Sequence, residues 1–86
     1  QLTNEEEYKL FAYRGLIKNR ILKKRFHDAL YYAEKAFEKD NKSRWVIDDL
    51  IKIYMVIEEY EKAEKMILKS IKLNHLSEQE ANKLLL

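Results

Sequence analysis

Phe26-His27-Asp28-Ala29-Leu30-Tyr31-Tyr32-Ala33-Glu34-Lys35-Ala36-Phe37 decides the fold of this chain. Phe26, Ala29, Leu30, Ala33, Ala36 and Phe37 recur at helical spacing and line one face. Three of them are alanine, and small residues on a buried face let a second helix come close. The stretch therefore reads as a packing helix, one of a stacked pair. The same pattern returns downstream. Tyr60, Ala63, Ile67, Ser70 and Ile71 repeat the places of Phe26, Ala29, Ala33, Ala36 and Phe37 at a constant offset of thirty-four. Self-similarity at a fixed period of this length marks a repeat protein.

Composition agrees with a helical reading. Eighty-six residues make one small domain, and they include one glycine and no proline. Sheet proteins need both residues for their turns, whereas helix interiors exclude them, so the chain is expected to be all-α. A hydrophobic fraction of 47% supplies a core, and the 37% of charged residues, with both signs interspersed, suit solvated outer helix faces. The net charge of +2 imposes no partner, and without cysteine there is neither a disulfide framework nor a thiolate metal site. No apolar run reaches the length of a membrane span, and no signal peptide is visible. The chain opens at Gln1 and stops in Lys83-Leu84-Leu85-Leu86, which reads as a piece of a longer protein.

Outward from the central stretch, Thr3-Asn4-Glu5-Glu6 forms a capping box and opens a first helix over about 5–23. Its apolar positions are Leu10, Tyr13, Leu16, Ile17, Ile21 and Leu22, and Gly15 within it suggests a close helix contact. Lys23-Lys24-Arg25 makes the turn into the second helix, about 26–39. Asp40-Asn41-Lys42-Ser43 is a polar connector with Ser43 as N-cap. A third helix, about 44–57, is apolar around much of its circumference and is expected to be buried on two sides. Glu58-Glu59 turns into a fourth helix, about 60–73. Ser77-Glu78-Gln79-Glu80 is a second capping box, opening a final helix over 78–86 with Ala81, Leu84 and Leu85 on one face.

Aligning Tyr13–Lys42 with Ile47–Leu76 brings identical or like residues into register. Leu16, Ile17, Lys18, Ala29 and Lys35 recur as Leu50, Ile51, Lys52, Ala63 and Lys69. Two helices per unit of this length is the tetratricopeptide (TPR) spacing, and the chain resembles that family over nearly its whole length. Tyr13/Leu16 and Ile47/Leu50 fit the family's first helix. Phe26/Ala29 and Tyr60/Ala63 fit the start of its second, and Ala36 and Ser70 its later small residue. The family's small residue after the leucine is Ile17 or Ile51 here, its first-helix tyrosine survives only as Tyr54, and its terminal proline is missing from both units. The resemblance implies a TPR-like right-handed superhelix: two helical hairpins, units of about 10–43 and 44–77, plus a C-terminal capping or truncated helix.

A narrower resemblance runs through Ser43-Arg44-Trp45-Val46, Leu50, Glu59-Tyr60-Glu61-Lys62-Ala63 and Leu76-Ser77-Glu78-Gln79-Glu80-Ala81. These look like the C-terminal TPR region of HemY-type proteins, which are anchored in the inner membrane of proteobacteria and associated with haem biosynthesis. That resemblance implies a soluble fragment on the cytoplasmic side of a bacterial inner membrane, with membrane contact only through segments outside these residues.

Catalytic signatures are missing from the sequence. His27 and His75 each stand alone at a helix end without a second ligand at helical spacing, so polar boundary residues are the simpler account, and no cofactor is expected. There is no nucleophile motif and no glycine-rich phosphate loop. Arg14, Lys18, Arg20, Lys23, Lys24 and Arg25 form a basic stretch within 14–25 that can be read as nucleic-acid or anionic-lipid contact. A solvated face of a lysine-rich protein is the plainer reading, because on a helix these cations spread over several faces.

In TPR arrays the first helices line a concave groove. By that resemblance Phe11, Arg14, Lys18, Ile21, Trp45, Asp48, Lys52, Met55 and Asn82 face it. Arg14 and Lys18 with Lys52 then receive a carboxylate from a partner, and Trp45 is the aromatic anchor; the alternative is that Trp45 packs on a neighbouring helix. The family's carboxylate clamp of lysine and asparagine is not reproduced. The expected function is a non-catalytic protein–protein interaction module that takes another protein or peptide. A nucleic-acid module using the basic stretch is the alternative, and the apolar end at Leu84-Leu85-Leu86 offers a surface for a homodimer.

Overall fold

The computed structural model describes residues 2–75, 77, 79, 80 and 83. Four α-helices follow one another in chain order: α1 (Asn4–Leu22), α2 (Phe26–Lys39), α3 (Arg44–Val56) and α4 (Tyr60–Lys72). There is no strand among the described residues, and the all-α reading holds. Each helix packs chiefly on its chain neighbours, α1 on α2, α2 on α3 and α3 on α4. The product is two helical hairpins set side by side in a slab of 38 × 31 × 16 Å.

The helix ends have local causes. At the start of α1 the Glu6 amide donates to Thr3 Oγ1 at 3.1 Å and the Thr3 amide donates to Glu6 Oε1 at 3.1 Å, which closes the capping box. The hydrogen bond from the Thr3 amide, then the one from its hydroxyl, hold the Glu6 carboxyl below its usual range. Ser43 occupies the N-cap of α3, but its hydroxyl makes no capping hydrogen bond, contrary to the sequence expectation. The connector is instead tied by the Lys42 amide donating to Asp40 Oδ1 at 3.2 Å. The second capping box forms: the Glu80 amide donates to Ser77 Oγ at 3.2 Å and the Ser77 amide to Glu80 Oε1 at 3.3 Å. Gln79, Glu80 and Lys83 are helical. Glu78, Ala81, Asn82, Leu84, Leu85 and Leu86, on which the rest of the final-helix reading falls, lie outside the described residues.

Helices α1, α3 and α4 all stop in the same way. Lys24, Glu58 and Asn74 adopt left-handed backbone with φ of 59°, 63° and 60°. The next residue's amide then donates back across the last turn: Arg25 to the Arg20 carbonyl at 2.8 Å, Glu59 to Tyr54 at 2.8 Å, His75 to Ser70 at 2.9 Å. This is the Schellman arrangement, which satisfies carbonyls that a helix end would leave bare. The stops at Lys24 and Glu58 are separated by the same offset as the sequence echo, so the period is repeated in backbone geometry.

Small residues close the core. Ala29, Ala33 and Ala36 of α2 are fully buried, and Ala63 and Ser70 of α4 occupy the equivalent inner places. Helix α3 contributes the most buried side chains, Val46, Ile47, Leu50, Ile51, Ile53 and Tyr54, as expected of a helix covered on two sides. The Tyr54 hydroxyl donates to Glu34 Oε2 at 3.3 Å and so links the two hairpins. Burial, then the Glu34 carboxylate, push the phenol up to about 12, so it remains a protonated donor in neutral solution.

Among the described residues the Ser70 hydroxyl is buried without a hydrogen-bond partner, at the place Ala36 holds in the first hairpin. Burying an unpaired hydroxyl costs free energy that removal recovers. Ser70→Ala is expected to stabilise the chain by about 1 kcal/mol, read as a rise in the urea midpoint with unchanged slope.

Several sequence expectations fail here for lack of a neighbour. Gly15 suggests a close helix contact, but a Cβ there would meet nothing within 4 Å. Gly15→Ala is therefore expected to add about 1 kcal/mol of stability, measured by thermal melting; a loss would mean that another surface rests there. Periodicity puts Leu22 in the inner series, and it is instead 83% exposed. Tyr60, which the repeat pattern assigns to the core, is exposed as well.

Candidate functional site

A shallow groove starts where the first turn of α3 meets the middle of α1, because the two helices offer an aromatic residue at repeat-equivalent positions, Phe11 and Trp45. Trp45 enters at the start of α3, half-buried, and packs against the core that includes Leu10 and Ile17. Its exposed side is covered by the Arg14 guanidinium, whose carbon stands 5.2 Å from the ring centroid. That is cation–π distance. A depression of about 200 Å³ is lined by Glu7, Leu10, Phe11, Arg14 and Trp45. A second, of about 350 Å³, is lined by Phe11, Arg14, Gly15 and Lys18. They share Phe11 and Arg14, so they form one trough along α1. Gly15 keeps its floor open.

Of the residues assigned to the groove from the sequence, Phe11, Arg14, Lys18 and Trp45 are brought together. Asp48 is exposed and engaged by Arg44 at 3.7 Å on its own helix, so it lies at the rim. Lys52 is exposed on α3. Ile21 and Met55 do not line the groove; they are half-buried and pack against the core. Asn82 lies outside the described residues.

One acid was missed. Asp49 is half-buried, and its carboxyl is pushed above the usual range by desolvation. The nearby charges of Lys52, Arg14 and Lys18 act in the opposite direction. The Asp49 carboxyl is thus partly withdrawn from water, with Lys52, Arg14 and Lys18 as the cations whose charge reaches it. A sequence signal for it existed, since Asp49 is the repeat equivalent of Gly15 on the groove side, but a lone acid in a charge-rich chain does not announce itself.

The three arginines of the basic stretch have different neighbours. Arg20 hydrogen-bonds Asn19 and lies over the Tyr32 ring at 5.9 Å. Arg25 pairs with Asp28 at 3.0 Å, and Arg14 covers Trp45.

The histidines take structural places. His27 is exposed at the start of α2. His75 Nε2 meets the Lys42 backbone carbonyl at 2.9 Å, tying the end of α4 to the connector before α3. No group of histidine, cysteine or carboxylate side chains among the described residues is arranged to hold a metal ion. Another depression, about 450 Å³, lies between the start of α1 and the end of α2, and its lining of Glu7, Glu38, Lys39, Asp40, Asn41 and Leu2 is mixed in charge and mostly polar.

The geometry defines a helical-hairpin protein with an aromatic and basic trough on one face. No protein-family model, curated protein or solved structure matches the chain. The TPR and HemY-type resemblances therefore rest on the residues quoted above.

Proposed function

We propose that this chain is a non-catalytic binding module, a TPR-like superhelix whose α1–α3 trough seats an acidic segment of another protein. The observation that carries the reading is a pair of open depressions that both use Phe11 and Arg14, with Trp45 lining one and Lys18 the other. A partner's apolar side chain would enter between Phe11 and Trp45. Its carboxylate would meet Arg14 and Lys18, which gives orientation and specificity more than raw affinity. Arg14 stays stacked on Trp45 while doing so, because a guanidinium can pair in its plane and stack on its face.

Trp45 is the chain's only tryptophan, so its fluorescence reports the site directly. Titration with a short peptide of alternating glutamate and phenylalanine should shift its emission, and added salt should weaken the binding. Reversing both cations, Arg14→Glu with Lys18→Glu, should weaken that peptide at least about tenfold, while the thermal melt falls by only a few degrees, roughly, from the lost Arg14–Trp45 stacking. Equal binding by the reversed protein would sink the reading. Retention of a single-stranded oligonucleotide by the native protein, with no response to the peptide, would favour the nucleic-acid alternative.

The HemY-type resemblance extends the proposal to a partner in haem biosynthesis near a bacterial inner membrane. No described helix is long and apolar enough to cross a membrane. On this reading the membrane attachment comes from elsewhere, and cell fractionation with the full-length protein tests it.

A further inference from the structure

Helix α1 has a second apolar face that the fold leaves uncovered. With the helical repeat of roughly 3.6 per turn, Tyr8, Phe11, Ala12, Gly15, Asn19 and Leu22 fall within an arc of about 100°. Leu10 and Ile17, both buried, point the other way. Tyr8, Phe11 and Leu22 are 78%, 77% and 83% exposed. The centre of this face, at Ala12 and Gly15, is low enough for another helix to come close.

The charges at its ends say which occupant fits. Glu5, Glu6 and Glu7 crowd the N-terminal end of α1; Lys23, Lys24 and Arg25 crowd its C-terminal end. Glu5 and Lys23 are separated by about five full turns, and so lie on the same flank of the exposed face. A parallel neighbour of the same kind would set like charges together. An antiparallel one would lay each acidic end beside a basic end and Tyr8 beside Leu22. The face is complementary to itself when reversed.

We propose that the outer face of α1 is the docking surface for a second copy of this chain, α1 against α1, antiparallel about a two-fold axis near Gly15. Such an interface is isologous, so each contact occurs twice. One helix pair about 28 Å long covers less than the area of a standard stable interface, so the dimer is concentration-dependent. The face shares Phe11 and Gly15 with the peptide trough, so its test uses only residues that do not line the trough.

The test is solution mass by sedimentation from about 10 µM to about 1 mM. The native chain should pass from monomer to dimer over that range. Leu22→Ser, Glu5→Lys and Lys23→Glu should each weaken association roughly tenfold, equivalent to about 1.4 kcal/mol. The double variant, Glu5→Lys with Lys23→Glu, should recover to within about threefold of native, because the reversed pair forms again across the axis. That recovery separates pairing from damage to the helix, since the double variant carries both local changes; circular dichroism checks that each variant folds. A native chain monomeric throughout would overturn the proposal and leave the face to another segment or another protein. A dimer indifferent to all three single changes would overturn it too, and would move the contact to another surface such as the C-terminal end.

Discussion

Ile67→Ala is expected to remove 2–5 kcal/mol of folding free energy, roughly, and to leave the chain largely unfolded at moderate temperature. Ile67 is fully buried and joins Ile47 and Ile51 in a separate patch of core between α3 and α4. Phe37, Met66, Ile71 and Leu73 close around that patch. Truncation there removes three methyl or methylene groups and leaves a cavity that a close-packed surround fills only in part. A chain of this length has a total stability on the order of 4–13 kcal/mol, so a loss of this size is a large share. The repeat pattern alone suggests the opposite outcome. Ala33 holds the equivalent position in the first hairpin and is fully buried there, so alanine reads as acceptable at both places. The difference lies in the neighbours: the first hairpin brings large side chains such as Tyr13 and Tyr32 toward its core, while in the second Ile67 itself supplies the volume. The measurement is urea unfolding followed by circular dichroism, with Leu68→Ala as the internal control. Leu68 is 51% exposed, and its truncation should stay within about 0.5 kcal/mol. Equal effects of the two would show that the inner face of α4 is misassigned.

The opposite sign is expected from Lys24→Gly combined with Glu58→Gly. Both residues sit at positive φ in the stop of a helix, both are exposed, and each is followed by a residue whose amide closes the Schellman bond. Left-handed backbone costs an L-residue roughly 1–2 kcal/mol because Cβ crowds the following carbonyl. Glycine relieves that crowding, and part of the gain is lost to its greater freedom in the unfolded chain. A net gain of about 1 kcal/mol per site, about 2 kcal/mol for the pair, corresponds to a rise in Tm of roughly 8–16 °C for a domain of this size. Asn74→Gly should gain less, since asparagine already tolerates this conformation. A fall in Tm for the double variant would mean that Lys24 and Glu58 make interactions worth more than their strain.

The trough and the outer face of α1 meet at Phe11, and they ask different things of it. In the trough Phe11 works beside Trp45 and Arg14 as one wall of a depression; on the outer face it works beside Tyr8 and Leu22 as part of a flat stripe. An exposed phenylalanine serves either surface because its ring is large enough to touch both. Lys18 likewise borders both, with its charge toward the trough and its position at the edge of the stripe. The two proposed events, binding in the trough and self-association, would thus take place side by side on one helix.

What was readable in the sequence was whatever local chemistry and periodicity control. Thr3 with Glu6 and Ser77 with Glu80 have the side chains that satisfy a helix start, and both boxes form. Alanines at 29, 33, 36 and 63 marked the inner faces of α2 and α4, because only small side chains allow the close approach these hairpins need. The turns at 23–25 and 58–59 were visible as breaks in the apolar series. Their left-handed residues were not, because lysine and glutamate carry no preference for that backbone; the Schellman hydrogen bonds impose it from outside.

The remaining facts depend on which side chains from distant parts of the chain come together. That Gly15 faces open space, that Leu22 is uncovered, that Asp49 is half-buried while Asp48 is exposed, and that His75 holds the Lys42 carbonyl all follow from how the two hairpins sit against one another. The helical period assigns a side chain to a direction around its own helix, and here it did so well. It carries no information on whether a neighbour occupies that direction, since that is fixed by packing summed over both hairpins.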